Sequence, residues 1–247
     1  MIELQQLSKA YNQGKVQAVK DLTLTVQKGE LFGFLGPNGA GKTTTIKMMV
    51  GLLRPDTGRV LLNGIDAARD PLKAKSIVGY CPDEPVMYDK MTGIRFLSFI
   101  ADVFGVSGER RAKVLPELAE IFEMKDALGE IVTSYSHGMR QKLSLIAALL
   151  HDPEILVLDE PIVGLDPRAA FVLKETMKGL CARGKTVFFS THIMEVAERL
   201  CDRVGIISRG TLVAAAPLPE LRRRAGEESA TLESLFLEMT DENPQSR

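Results

Sequence analysis

The chain has 247 residues, 45% of them hydrophobic and 26% charged, and its 31 Lys and Arg against 32 Asp and Glu leave a formal charge of −1. A chain of this length and ordinary globular composition buries roughly 70% or more of its unfolded surface without any disulfide or metal staple. Near-neutral, interspersed charge removes the electrostatic footprint of a nucleic-acid binder, so no direct nucleic-acid binding is expected.

Cys81, Cys181 and Cys201 are odd in number and lack C-x-x-C spacing, which points to a reduced, cytosolic protein. The start, MIELQQLSKAYNQGK, has no apolar signal core. Apolar stretches such as Leu143 to Leu150 fall far short of the roughly 18 to 20 residues of a membrane span. A mean hydropathy of +0.02 nevertheless leaves room for a partner that covers part of the surface. The run Arg222, Arg223, Arg224 reads as a solvated helix face.

In chain order, MIELQQLSKAY and LTLTVQKGE alternate as strands, with turns at Asn12 to Gly14 and at Lys28-Gly29, and RVLLNGIDA adds a hairpin around Asn63-Gly64. These pieces predict an antiparallel β-layer. ELFGFLG followed by TTTIKMMVGLL, ILVLDE followed by a helix from Pro167, and TVFFSTH followed by IMEVAERL alternate buried strand with helix, which predicts a parallel α/β core. Between them, residues 86–140 carry apolar residues at helical spacing and few strand signals, and read as an inserted helical subdomain. Ser136 is placed to cap a long helix that closes before Pro153. The expected division is a nucleotide-binding core with its antiparallel β-subdomain over 1–85 and 141–215, and a C-terminal extension over 216–247. That extension is expected to hold one amphipathic helix with Leu232, Leu235, Phe236 and Met239 on one face.

GPNGAGKT, Gly36 to Thr43, fits G-x-x-x-x-G-K-[ST] between a predicted strand and a predicted helix. Glycines at Gly36, Gly39 and Gly41 let the backbone N–H groups of the loop, including those of Asn38 and Ala40, close on phosphate oxygens. The helix N-terminus adds its positive end, Lys42 reaches the β and γ phosphates, and Thr43, followed by Thr44, offers a hydroxyl to Mg²⁺. ILVLDE ends a fully apolar strand with two carboxylates: in a P-loop protein Asp159 holds Mg²⁺ and Glu160 polarises the attacking water, while capping of the next loop is the plainer reading.

The order of Tyr11, GPNGAGKTT, GYCPDE, YSHGMRQ, ILVLDEP, GLDP and STH resembles the ATP-binding subunit of an ABC transporter over nearly the whole chain. It is most similar to the cassettes of ABC-2 type exporters, including the Ecs-type ATPases, which carry YSxGM rather than LSGGQ. The resemblance implies a P-loop NTPase fold with a RecA-like core, Mg²⁺-ATP as the bound pair, and a second ATPase subunit, a homodimer here. It also implies an integral membrane permease that recruits the chain to the cytoplasmic face of the cell membrane. By the same resemblance Tyr11 stacks on adenine, although simple packing also fits a Tyr between strands. Asp83 stands where the family has Gln and is assigned to the metal, with a nucleotide-sensing role, although Pro82 and Pro85 also fit a plain turn. Ser136 and Gly138 contact the γ-phosphate of ATP held by the opposite subunit, with His137 and Met139 replacing the commoner Gly and Gln. Asp166 links the two sites and also suits an N-cap before Pro167. His192 supports Glu160. A soluble ABC ATPase of translation or DNA maintenance shares these motifs, but such chains carry two cassettes or a coiled-coil insertion.

Overall fold

The computed structural model describes residues 1–240 apart from Asp89, Glu227, Glu228 and the side chain of Ala225. The strands are β1 (Ile2–Tyr11), β2 (Val16–Val26), β3 (Leu31–Leu35), β4 (Thr57–Leu62), β5 (Ile65–Asp66), β6 (Val78–Cys81), β7 (Ile155–Leu158), β8 (Thr186–Thr191), β9 (Arg203–Ser208) and β10 (Thr211–Ala216). The helices are α1 (Lys42–Met49), α2 (Pro71–Ser76), α3 (Gly93–Val103), α4 (Gly108–Ile121), α5 (His137–Leu149), α6 (Pro167–Ala182), α7 (Met194–Leu200), α8 (Leu218–Ala225) and α9 (Leu232–Met239). Among the described residues no helix is long and apolar enough to cross a membrane.

Two sheets form, as the alternation predicts. One is antiparallel in the order β2-β1-β4-β5; the other runs β10-β9-β3-β8-β7-β6 and is parallel from β9 to β6. The parallel strands are buried on both faces, which is why they read as unbroken apolar runs. Their residues sort by pleat. Ile155, Val157, Phe188, Phe32 and Phe34 enter the core shared with α1 and the antiparallel sheet, while Leu156, Leu158, Val187 and Phe189 face the core of α3, α5 and α6. Phe188 stacks on Phe32 at 5.6 Å and has no exposed surface, a burial that contributes about 1.5–3 kcal/mol.

Residues 93–103 and 108–121 are helical, with Thr92 and Ser107 capping α3 and α4 by accepting from Arg95 N and Arg110 N. Ser136 caps α5 by accepting from Met139 N at 3.3 Å. Because α5 runs unbroken from His137 to Leu149, a boundary drawn at 140 falls inside one helix.

The C-terminal stretch departs from expectation. It holds two helices rather than one, because Gly226 takes the left-handed C-terminal position (φ 76°) that ends α8, and Thr231 then caps a new start by accepting from Ser234 N at 3.2 Å. Leu221, Leu232, Leu235 and Phe236 bury together against α7 and β9. The arginine run also divides: Arg223 and Arg224 are exposed, but Arg222 is half-buried and ion-paired.

Candidate active site

Four neighbouring parallel strands deliver their following residues to one edge of the sheet. β3 leads to Gly36, β8 to His192, β7 to Asp159 and Glu160, and β6 to Asp83. The carboxyl ends of parallel strands are where ligands bind in open α/β sheets.

After β3 the loop Gly36–Gly41 turns into α1. A Cβ on Gly36 would lie 2.5 Å from Ile207 O, and one on Gly41 (φ 107°) 2.4 Å from Ala18 O, so the chain passes only with glycine at both positions. Gly41 also leaves α1 with no side-chain cap, so the first-turn N–H groups, Thr43 and Thr44 among them, stay available. Thr43, Asn38 and Gly39 are exposed, and Ala40 is buried. Lys42, 6% exposed, donates to Gly36 O at 2.7 Å and Pro37 O at 3.2 Å and lies 3.3 Å from Glu160 Oε1.

Asp159 is 1% exposed. Its Oδ1 accepts from Ser190 Oγ at 2.6 Å, and its buried Oδ2 has no hydrogen-bond partner. Glu160 follows in the left-handed region (φ 47°), a conformation costing roughly 1–2 kcal/mol that its N–H bond to Ser190 Oγ at 2.9 Å helps to hold. Glu160 Oε2 accepts from His192 N at 3.3 Å and from His192 Nδ1 at 3.0 Å. The contact ties the half-exposed His192 ring to the buried carboxylate.

Asp83 is exposed, yet partial burial, then the carboxylates of Asp159, Glu160 and Glu84, push its carboxyl above the usual range, with His137 opposing them. Among the described residues no group of three His, Cys, Asp or Glu side chains is arranged to hold a metal by itself. The orphaned Asp159 Oδ2 still suits Mg²⁺, which takes one or two carboxylates and fills its shell with water and phosphate oxygens.

Ser136 and Gly138 lie at the start of α5 against the GLDP loop. A Cβ on Gly138 would approach Gly164 O to 2.8 Å, and one on Gly164 (φ 80°) would meet the His137 ring at 2.4 Å. Asp166 caps α6 by accepting from Ala169 N at 2.8 Å and pairs with Lys142 Nζ at 2.7 Å. The Lys142 bond, then the backbone N–H, hold its carboxyl below the usual range. Tyr11, 39% exposed, pairs with Val16, two residues before the Ala18 carbonyl that Gly41 approaches, so the β1–β2 turn lies on the P-loop side.

Ser190 and Lys142 escape the sequence reading. Ser190 had a readable signal, since TVFFST ends a buried strand in polar residues just as ILVLDE does. Lys142 gave none, being one cation among several on α5.

Residues 19–163 match the family described as ABC transporter. The chain is 37% identical to the ABC-type transporter ATP-binding protein EcsA of Bacillus subtilis, over 98% of each chain. It is 40% identical to the Nod factor export ATP-binding protein I of Burkholderia pseudomallei, over 86% of this chain and 69% of that one. Against a 40% identical ABC transporter ATP-binding protein of Nostoc, it spans 66% of that protein's length. A solved ATP-binding subunit of an ABC transporter superposes with a TM-score of 0.92 at 35% identity, covering 97% of this chain and 99% of that one. A dimeric bacterial ABC transporter cassette gives 0.80 at 25% identity, covering 88% and 99%. With its P-loop, buried acidic pair and histidine at one sheet edge, the chain belongs to the ABC transporter family, as an ATP-binding ATPase subunit.

Proposed function

We propose that this chain hydrolyses Mg²⁺-ATP to drive export through a separate membrane-spanning permease, working as a homodimer on the cytoplasmic face of the membrane. The observation that carries the reading is Glu160, a buried carboxylate fixed by His192 at 3.0 Å and Lys42 at 3.3 Å beside the P-loop. In this reading the α1 N-terminus and Lys42 bind the triphosphate, and Glu160 accepts the proton of a water whose oxygen bonds to the γ-phosphorus as the bond to the β-phosphate oxygen breaks. His192 orients Glu160. Mg²⁺, held near Asp159 and Thr43 with Asp83 close by, supplies charge neutralisation on the phosphates. Tyr11 stacks on adenine.

Ser136 and Gly138 contact the γ-phosphate bound by the other subunit, and Asp166 links the two sites. The dimeric cassette of similar fold supports that arrangement. Export is supported by the likeness to the Nod factor export protein. For the permease, the fitting surface is the 280 Å³ apolar cleft between the sheet edge at Tyr80 and Pro82 and the helical arm at Phe96, Ile100 and Phe104, because its lining residue Pro82 directly precedes Asp83.

Glu160→Gln should keep ATP binding while turnover drops about 10²- to 10⁴-fold and a closed, ATP-loaded dimer accumulates. Parental turnover in that variant refutes the assignment of the base.

A further inference from the structure

The arginine run that sequence reading left as solvated surface contains one residue with a structural partner of consequence. Arg222, on α8, places Nη2 2.7 Å from Glu198 Oε1 and donates from Nε to Ala230 O at 2.8 Å. Glu198 turns its other oxygen to the backbone N–H of Leu232, the first residue of α9, at 3.5 Å. One carboxylate on α7 thus gathers both C-terminal helices. Both partners are about three-quarters shielded, with side chains 29% and 25% exposed, so the pair is less screened than a surface ion pair.

α7 is the helix that starts two residues after His192. Its start has no side-chain cap, and at seven residues it is too short to hold its place by its own hydrogen bonds. Its position depends on what packs on either side. Inward, Ala197 and the residue that ends it, Cys201, lie against Gly33 in β3, where an added Cβ would come within 3.6 Å and 2.7 Å of them. Outward, Leu221, Leu232, Leu235 and Phe236 cover it, and the Glu198–Arg222 pair fixes the register of that cover.

We infer that the C-terminal helices α8 and α9 act through the Arg222–Glu198 pair to hold α7, and with it the His192 ring, at hydrogen-bond distance from Glu160. Arg222 and Glu198 are positioning residues for hydrolysis, although neither reaches the nucleotide. The inference rests on the reading of His192 and Glu160 given above.

ATPase kinetics of the full-length chain test it, using Arg222→Ala, Arg222→Lys, Glu198→Gln and His192→Ala, alone and combined. Loosening a group that orients the base should lower kcat about 10-fold in Arg222→Ala while KM for ATP stays within about 2-fold. Arg222→Lys, which can still reach Glu198, should recover most of that loss. In a His192→Ala background the further loss should shrink to under about 2-fold, because both changes act on the same step.

Parental kcat in Arg222→Ala, or losses that multiply in the double variant, overturn the inference and leave the site reading standing. Parental kcat in His192→Ala instead overturns the role of His192 itself. Should Arg222→Ala melt at the assay temperature, Glu198→Gln, which keeps the side chain's shape but removes the charge and one of its two acceptor oxygens, decides: an unchanged kcat there also overturns the inference.

Discussion

His151 lies flat on Phe104, ring centroids 3.8 Å apart, and donates from Nε2 to Val78 O at 3.1 Å. A carbonyl only accepts, so Nε2 carries the hydrogen and the buried Nδ1 is bare, without a partner. Burial lowers the pKa of the ring to about 4, and the Val78 hydrogen bond offsets part of that shift. The unfolded chain binds a proton on this histidine at higher pH than the folded one does. Folding stability therefore rises with pH between about 4 and 6.5 and is lost as pH falls through that window. Urea titrations at pH 7 and pH 4.5 should show a drop in the parent that is smaller in His151→Asn, which keeps a donor but no titrating group. Equal drops in the two proteins would remove His151 from the acid response.

Two elements meet through glycine where α5 abuts the GLDP loop. Gly164 holds φ 80° and leaves no room for a Cβ beside the His137 ring. Gly164→Ala should therefore lose about 1–3 kcal/mol in denaturant unfolding, from backbone strain and overlap together. His137→Ala in the same chain should return the overlap part, so that the double variant loses less than the sum of the singles. The sequence disclosed this region unevenly. Ser136 and Asp166 were readable as caps because a short polar side chain before a helix has one ready use. The approach of α5 to the GLDP loop, Gly138 to Gly164 and Lys142 to Asp166, was hidden, since it depends on how residues far apart in the chain pack, and neither periodicity nor spacing encodes that. The same limit explains the C-terminal stretch: the apolar face of Leu232 to Met239 was legible, but the preceding helix was masked by the charges of Arg222 to Arg224. Lys42, Asp159 and Glu160 were the most legible residues, because glycine spacing and a carboxylate pair on an apolar strand admit few other uses.

For the molecule as a whole, a nucleotide that binds the folded chain and not the unfolded one adds to its stability. Mg²⁺-ATP at about 100 times its Kd should add about 2.7 kcal/mol to stability and raise Tm by about 5–10 °C. In Lys42→Ala that rise should largely vanish at the same nucleotide concentration, as read by differential scanning fluorimetry. A full rise in that variant would place the triphosphate elsewhere. The strand order carries a further consequence for synthesis. Among the described residues β3, the strand that leads into the P-loop, pairs only with β8 and β9, whose partner residues run from Val187 to Ile206, more than 150 positions later in the chain. At about 5–20 residues per second the ribosome takes roughly 10–30 s to deliver them. Until β8 emerges Phe32 and Phe34 belong to a strand with two open edges, and until β9 emerges to one with a single open edge, so a ribosome pausing between α6 and β9 would lengthen the exposure.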